Sequence, residues 1–413
     1  MTASPPSAAM IDVATARALA LALVAPIQDR QRVPLSEALG RAVAQDVIAP
    51  MAMPFFTNSG MDGFALCVAD LHGSGPYRLP IAATIAAGAN PAQGLPRGAA
   101  VRIFTGAPVP AGADAVIALE DARETDGDLV LDFLPPKGAH LRLAGSDQAA
   151  GACLLPRGTR IAPHHIGLLA ANGLGLVEVL RRPRVAVLST GDELGSCGDL
   201  APGQIHDANR PMLLALVAAA GGVALDAGSM PDDPAALADR LAELAADADL
   251  ILSSGGVSMG GRDPLRPAFV AAGGKIDGWR VAVKPGKPVM FGRLGKAGFI
   301  GLPGNPMAAF VGFHLFAAAQ MAVLAGMAAP TFAAHSARAA FAWQRRTGRL
   351  EVFPVRNLGA GSCGLPQLQR LGSGVSASLF PLTAADGLAI VPADLAEVTP
   401  GLLLQWQPFC LGW

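Results

Sequence analysis

The central third of the sequence alternates short apolar runs with helical segments, and this pattern constrains the fold more than any other feature. Each run is apolar throughout, which is typical of a strand that is covered on both faces of a parallel sheet. The pattern therefore predicts a doubly wound α/β domain. The predicted strands are Arg184–Ser189, Val223–Leu225, Leu250–Leu252, Trp279–Val283 and Phe299–Leu302.

The segments between and after these strands carry helical signals. Asn209 is placed to cap a helix over Pro211–Ala220. The alanine-rich segment Ala308–Pro330 has the roughly 20 residues that a bilayer span needs. Because it contains His314 and Gln320 and directly follows a strand and a turn, we interpret it as a buried core helix.

Polar turns follow the predicted strands at their carboxyl ends, where open α/β sheets bind their ligands. Their acids suit a hard divalent cation such as Mg²⁺, and their glycine N–H groups and lysines suit an oxyanion. Together they predict a phosphate-bearing ligand that is handled with a metal. The charged residues of this cluster are Asp192, Glu193, Asp263, Lys284 and Lys287.

Structural roles remain open for several of these residues. Asp192 and Glu193 also fit the N-cap and first turn of a helix. Asp263 precedes a proline, as an N-cap residue often does. Lys284 and Lys287 flank a Pro-Gly pair, as lysines in an ordinary surface turn do.

Length, charge and cysteine usage bound the class of protein. A chain of 413 residues is expected to form roughly two to four domains. Its net charge of −1 argues against a nucleic-acid-binding protein. Its five cysteines are scattered without a CxxC pair, which excludes a thiolate metal cluster and fits a reducing cytoplasm. The N-terminus shows no signal-peptide pattern.

The flanking regions have a different pattern from the centre. From Phe64 to Leu143, short apolar runs are broken by glycine and proline, which indicates a small β-rich domain. Residues 328–413 show similar runs and predict a small β-barrel or sandwich. His164, His165 and His206 have no partner at ligand spacing, and we interpret them as structural. No nucleophile and base arrangement indicates covalent catalysis.

Six motifs, in this order along the chain, resemble those of the molybdopterin molybdenumtransferase family, to which MoeA and the C-terminal part of gephyrin belong. One such motif would be weak, but six in register over nearly the whole chain are highly specific. The motifs are Asn58–Ala65, Phe104–Ala107, Ser189–Leu194, Gly255–Ser258, Lys284–Pro288 and Gly301–Pro306.

The resemblance implies a multidomain α/β plus β fold in an elongated homodimer of four-domain subunits. Residues 1–50 and 145–181 would form an elongated N-terminal α+β domain, and residues 51–144 a β-rich domain. Residues 182–328 would be the α/β molybdopterin-binding domain and residues 329–413 a C-terminal β-barrel.

The activity implied is insertion of molybdate into the dithiolene of adenylylated molybdopterin, with Mg²⁺-dependent release of AMP. The expected setting is the cytoplasm, without nucleic acid or membrane. Partners would include the molybdopterin adenylyltransferase and apo-molybdoenzymes. Two other functions remain open, a non-catalytic molybdopterin carrier and the preceding adenylyl transfer. The flanking β domains argue against the second of these.

The resemblance also implies roles for individual residues. Asp192, Glu193 and Asp263 would handle metal and phosphate, with Glu193 and Asp263 as the metal ligands. Lys284 and Lys287 would hold the oxyanion. Further substrate-binding positions are Asp62 and Thr105, which would come from the partner subunit, and Thr190, Ser254, Gly255, Gly256, Ser258, Arg280, Pro288, Pro303, Asn305, Arg356 and Ser376.

The chain departs from the family pattern around the implied molybdate pocket. Ala308 stands where a serine is usual, and Arg280 stands where a lysine is common. Pro354 replaces an arginine, although Arg356 lies two residues on and would return to the same face of a strand. Asp147 alone is kept from a Gly-Glu-Asp-Ile stretch. These losses concern metal insertion more than ligand binding, and they motivate the carrier alternative.

Overall fold

The computed structural model describes residues 10–89, 94–195, 198, 200–257 and 263–409. In the first segment, the Asp12 carboxylate caps a helix by accepting a hydrogen bond from the Thr15 N–H at 2.9 Å. Ile11 pairs with Val281, so this helix packs on the central domain. The elements are α1 (Val13–Ala22), β1 (Arg30–Pro34), α2 (Leu35–Ala38) and β2 (Val47–Ile48).

The described residues between 58 and 142 form strands and short helical turns, as the broken apolar pattern predicts. Six strands form one sheet in the order β7-β4-β6-β5-β9-β8, with a buried apolar cluster on each face. The strands are β3 (Asn58–Ser59), β4 (Gly63–Leu66), β5 (Tyr77–Ile85), β6 (Ala100–Ile103), β7 (Ala115–Ala118), β8 (Arg123–Thr125), β9 (Asp128–Leu131) and β10 (Leu141–Arg142).

After this sheet the chain pairs again with its first two strands. β11 (Cys153–Leu155) pairs antiparallel with β2, and β12 (Leu176–Leu180) pairs antiparallel with β1. The helix α3 (Pro163–Ala171) covers these pairs, and Leu155 and Leu169 lie in their shared core. Two separate chain segments therefore build one small α+β unit.

The central unit is a six-stranded sheet with helices on both faces, as the apolar runs predict. Its strand order is β16-β13-β17-β21-β20-β18, and the first four strands are parallel. Its elements are β13 (Arg184–Thr190), β14 (Leu194–Gly195), β15 (Ile205–His206), α4 (Asn209–Ala219), β16 (Val223–Met230), α5 (Pro234–Asp247), β17 (Leu250–Ser254), α6 (Leu265–Ala271), β18 (Lys275–Trp279), β19 (Val283–Lys284), β20 (Met290–Leu294), β21 (Ala297–Leu302), α7 (Pro306–Gly312) and α8 (Ala318–Leu324).

Three local predictions for this unit are wrong. The sheet is mixed, because only Gly295 and Lys296 separate β20 from β21, and a two-residue connection forces an antiparallel hairpin. The run predicted as one strand over Trp279–Val283 is broken where Arg280 adopts φ +62°. Asn209 does not cap α4; the Asp207 carboxylate accepts the Asn209 N–H at 3.1 Å.

The alanine-rich helix runs from Pro306 to Leu324 and passes through one π-helical turn at Phe313–Ala317. Its 19 residues are long and apolar enough to cross a membrane, but 78% of its most apolar window is buried inside the chain. Its side chains join the largest apolar cluster of the protein. The interpretation as a core helix is therefore confirmed.

The last segment forms a closed five-stranded barrel in the order β24-β25-β22-β28-β26, which confirms the predicted fold class. β19 of the central unit adds to the start of β24 in parallel, pairing Lys284 with Glu351. The elements are β22 (His335–Ala339), β23 (Trp343–Gln344), β24 (Leu350–Ala360), β25 (Pro366–Arg370), β26 (Gly387–Val391), β27 (Glu397–Val398) and β28 (Leu403–Pro408).

Candidate active site

A cavity of about 590 Å³ opens where the parallel strands β13, β17 and β21 end. This is the sheet edge at which doubly wound domains bind their ligands. Three acidic side chains line it, so we call it the acidic cavity: Glu193, Asp232 and Asp263. The other predicted residues on its wall are Thr190, Gly255, Gly256, Pro288, Pro303 and Asn305.

Two glycines allow the turn after β17 to pass close to its neighbours. Gly255 has φ +93°, and a Cβ there would lie 2.2 Å from the Thr190 carbonyl oxygen. Gly256 has φ +64°, and its Cβ would lie 2.9 Å from the Leu265 Cβ. Both positions therefore need glycine for conformation and for space.

Asp263 has the most perturbed carboxyl group of the cavity. Its Oδ1 accepts a hydrogen bond from the Leu265 N–H at 3.1 Å. Its Oδ2 is buried and has no hydrogen-bond partner among the described residues. Burial, reinforced by the neighbouring charge of Asp232, raises the pKa of Asp263 to about 6. The site therefore presents an unsatisfied carboxylate oxygen that a cation would stabilise.

Asp232 also lies on the cavity wall, although no sequence motif indicates it as a site residue. The Thr190 hydroxyl donates to Asp232 Oδ1 at 2.7 Å. The Asp232 N–H donates to Asp192 Oδ1 at 3.0 Å, so Asp192 supports the loop and does not line the cavity. Asp232 follows the carboxyl end of β16, and the same strand-end rule applied to β16 would have found it.

Two asparagines connect the turns beneath the cavity. Asn209 Nδ2 donates to Ser254 Oγ and to the Gly304 carbonyl oxygen, each at 2.7 Å. Ser254 is buried in this contact and is not part of the cavity wall. Asn305 Nδ2 donates to Ser376 Oγ at 2.9 Å, which anchors a barrel loop beside the cavity. The position of Asn209 before an apolar helix predicts a helix cap, and no local signal indicates its contacts with Ser254 and Gly304.

The two lysines are not on the wall of the acidic cavity, whereas Pro288, next to Lys287, is. Lys284 Nζ pairs with Glu351 Oε1 at 2.7 Å, at the junction of the central unit and the barrel. Lys287 accepts the Val281 N–H at its carbonyl, and neither lysine lines the acidic cavity. The single cluster predicted from the sequence is therefore divided in two. The second part, formed by Lys284, Glu351 and Arg345 where β19 meets β24, is the basic seam.

The remaining predicted residues lie elsewhere. In the β-rich unit, the Thr105 N–H and hydroxyl donate to Asp62 Oδ1 at 2.7 and 2.8 Å, which lowers the pKa of Asp62. Neither residue lines the acidic cavity of its own chain. Arg356 is exposed and its Nε lies 3.4 Å from the Ala384 carbonyl oxygen. Ser258 lies outside the described residues.

The fold and the site together define a class of protein. A doubly wound domain with an acidic, glycine-lined cavity at its strand ends, flanked in sequence by β-rich units, is an α/β protein of the class that binds ligands at the carboxyl ends of its strands. Three family models match the chain: the MoeA N-terminal region (domain I and II) at residues 11–173, a probable molybdopterin binding domain at residues 186–322, and the MoeA C-terminal region (domain IV) at residues 336–409.

Whole-chain relatives agree with these matches. Molybdopterin molybdenumtransferase 2 of Mycobacterium tuberculosis is 37% identical over 90% of this chain and 93% of its own length. The molybdopterin molybdenumtransferase of Haemophilus influenzae is 36% identical over 91% and 93%. A molybdopterin biosynthesis MoeA structure from Pyrococcus horikoshii covers 98% of this chain and all of its own, at a TM-score of 0.81 and 27% identity. The chain belongs to the molybdopterin molybdenumtransferase family, as the sequence motifs predict.

Proposed function

We propose that this protein is a molybdenum insertase, which transfers molybdate into the dithiolene of adenylylated molybdopterin and releases AMP in a Mg²⁺-dependent reaction. The observation that supports this most directly is the acidic cavity, in which a buried carboxylate oxygen of Asp263 has no hydrogen-bond partner among the described residues and lies beside glycine backbone. The relatives that this chain matches over most of their length are named molybdopterin molybdenumtransferases.

The acidic cavity fits Mg²⁺ shared with a ligand phosphate. Among the described residues, no three His, Cys, Asp or Glu side chains form a preformed metal cage. Mg²⁺ usually takes only one or two protein carboxylates and completes its shell with water and phosphate oxygens. Glu193 and Asp263 would hold it, and Asp232 would add negative charge nearby. When bound, Mg²⁺ would offset the charge of the leaving AMP phosphate.

The chain's own residues have separable roles in this proposal. Gly255 and Gly256 keep the turn after β17 packed against Thr190 and Leu265 with its backbone on the cavity wall, because a side chain at either position would clash with those residues. Asp263, with a pKa of about 6, is mostly ionised at neutral pH and becomes protonated in mild acid. Lys284 supplies fixed positive charge for the oxyanion at the basic seam.

Assembly and location belong to the proposal as well. Asp62 and Thr105 hold each other on the surface of the β-rich unit, away from the acidic cavity of their own chain. This placement supports a homodimer in which they complete the cavity of the partner subunit. We place the enzyme in the cytoplasm, between an adenylyltransferase that makes its substrate and apo-molybdoenzymes that accept its product.

The test is AMP release from adenylylated molybdopterin by the purified protein with Mg²⁺, with and without molybdate, the product being trapped by an apo-molybdoenzyme. Asp263→Asn should reduce AMP release at least about 100-fold, since it removes a charge that contacts the metal and phosphate. Its thermal unfolding should remain cooperative. Glu243→Gln, at an exposed ion pair on α5, serves as the matched control. Full activity of Asp263→Asn would refute its role.

A carrier function is the second candidate, and two positions favour it. Ala308 is 2% exposed and offers no hydroxyl beside Gly286. Pro354 lines a small cavity next to Lys284 and provides no charge there. Tight binding of adenylylated molybdopterin without molybdate-dependent AMP release would support the carrier.

A further inference from the structure

The barrel contains a buried ion pair at the place where it meets the central unit. Arg345 Nε donates to Glu351 Oε2 at 3.0 Å, and their side chains are only 2% and 5% exposed. The Arg345 guanidinium also donates to the carbonyl oxygens of Pro392, Leu395 and Arg349. The guanidinium is therefore held on several sides and fixes one oxygen of the Glu351 carboxylate.

The other oxygen of Glu351 faces the central unit. Lys284 lies directly across from Glu351 where β19 pairs with β24, and its Nζ lies 2.7 Å from Glu351 Oε1. The Lys284 side chain remains 42% exposed. The ammonium group is thus held by a buried carboxylate, while the lysine side chain stays partly exposed.

This pair also separates two cavities. Lys284 and Glu351 line both a narrow cavity of about 20 Å³ against Pro354 and a cavity of about 300 Å³. The larger one also has Arg346 and Arg349 on its wall, so an anion approaching Lys284 from that side meets positive charge.

Stability alone is a poor reason for this arrangement. Removing two charges from water costs several kcal/mol per ion, and buried ion pairs are often no more stable than apolar replacements. A surface pair would leave Lys284 free to take many rotamers. The buried Arg345 and Glu351 instead give one defined position to a lysine that stays accessible.

We propose that Glu351 is a positioning residue for Lys284, oriented by Arg345, and that it sets where the lysine ammonium meets an oxyanion such as molybdate. The inference rests on the proposed function of Lys284 in oxyanion binding. Glu351 does not touch the substrate; it acts through the lysine.

The first experiment measures the reactivity of the Lys284 ammonium group and does not depend on enzyme activity. Glu351→Gln and Glu351→Asp are compared with Glu243→Gln, and the labelling of Lys284 by acetic anhydride is followed by peptide mass spectrometry. Both Glu351 variants should label Lys284 about 5-fold faster than the wild type, as expected for loss of one ion pair. The control should not differ. Equal labelling in all four proteins would overturn the proposal.

The second experiment is a double-mutant cycle on molybdate-dependent AMP release. Glu351→Gln should lower turnover about 10- to 100-fold in the presence of Lys284, because a small misplacement of a binding group has such an effect. In a Lys284→Gln background it should lower turnover no further. Equal losses in both backgrounds would overturn the proposal, since Glu351 would then act independently.

The Glu351→Asp variant tests whether a loss of turnover arises from unfolding. It keeps a negative charge near the buried Arg345 guanidinium but moves the carboxylate back by one methylene, which breaks its 2.7 Å contact with Lys284. It should unfold cooperatively and still lose molybdate-dependent turnover; normal turnover with slow labelling would overturn the proposal. If the wild type releases no AMP in response to molybdate, the proposed function fails, and the labelling result alone decides whether Glu351 positions Lys284.

Discussion

The acidic cavity and the basic seam differ in how the chain builds them. The cavity lies within one domain, where strand-end turns pack so closely that Gly255 and Gly256 admit no side chain. The seam lies between two domains, where β19 joins the barrel and aligns Lys284 with Glu351. In the proposed function the cavity would hold a cation and the seam an oxyanion.

The largest expected effect comes from removing the lysine. Lys284→Gln should lower molybdate-dependent turnover about 100- to 1,000-fold, as loss of one preorganised electrostatic group does. Binding of AMP with Mg²⁺ should stay within about 2-fold, because Lys284 does not line the acidic cavity. Calorimetric titration with AMP checks this. A parallel loss of AMP affinity would show that the two regions form one site.

The converse test changes the cavity and leaves the seam intact. Gly255→Ala should destabilise the protein by about 2–3 kcal/mol, because the new Cβ meets the Thr190 carbonyl oxygen in a left-handed conformation. AMP binding should weaken while Lys284 labelling is unchanged. Gly228→Ala is the matched control: its φ is +82° but a Cβ there meets nothing within 4 Å, so only about 1 kcal/mol is expected. Denaturant unfolding measures both, and equal losses would refute the close-packing argument.

A smaller effect is expected on how the free energy of unfolding depends on pH, and it concerns the acidic cavity. The pKa of Asp263 is raised from 3.8 to about 6, so its ionised form is disfavoured in the folded state. That cost is fully present above about pH 6 and disappears as the pH falls toward about 4. Asp263→Asn should therefore be more stable than the wild type near pH 8 by on the order of 1 kcal/mol after solvent screening, and equal to it near pH 4. Urea unfolding at both pH values decides; a pH-independent difference would contradict the assignment.

The smallest effect is expected at Ala308. Restoring a hydroxyl with Ala308→Ser adds one polar group beside Gly286, and a neutral hydrogen bond is worth only about 1 kcal/mol. We expect at most about a 5-fold fall in the KM for molybdate, with AMP affinity unchanged. Steady-state kinetics at varied molybdate checks this. A large rise in turnover would instead indicate that the serine is needed for metal insertion and favour the carrier function for the natural chain.

Local sequence signals predicted the fold well where one interaction dominates. The strands β13, β17 and β21 are apolar along their whole length, which requires burial on both faces. This continuous apolar character alone indicates parallel strands. The π-helical turn at Phe313–Ala317 and the strand break at Arg280 depend on packing against distant elements. No local sequence pattern predicts either of them. Asn209 illustrates the difference, since its side chain connects two turns far away in sequence.

The sequence by itself determined the α/β class of the central sheet, the strand ends at which the cavity opens, and the acids and glycines expected to suit phosphate and metal. These follow from residue type and short spacing. Only the tertiary structure decided that Asp232 joins the acidic cavity, that Lys284 leaves it, and that Glu351 holds the lysine. The physical reason is distance along the chain: Lys284 and Glu351 meet only because β19 and β24 pair, and that register is fixed by the packing of two domains.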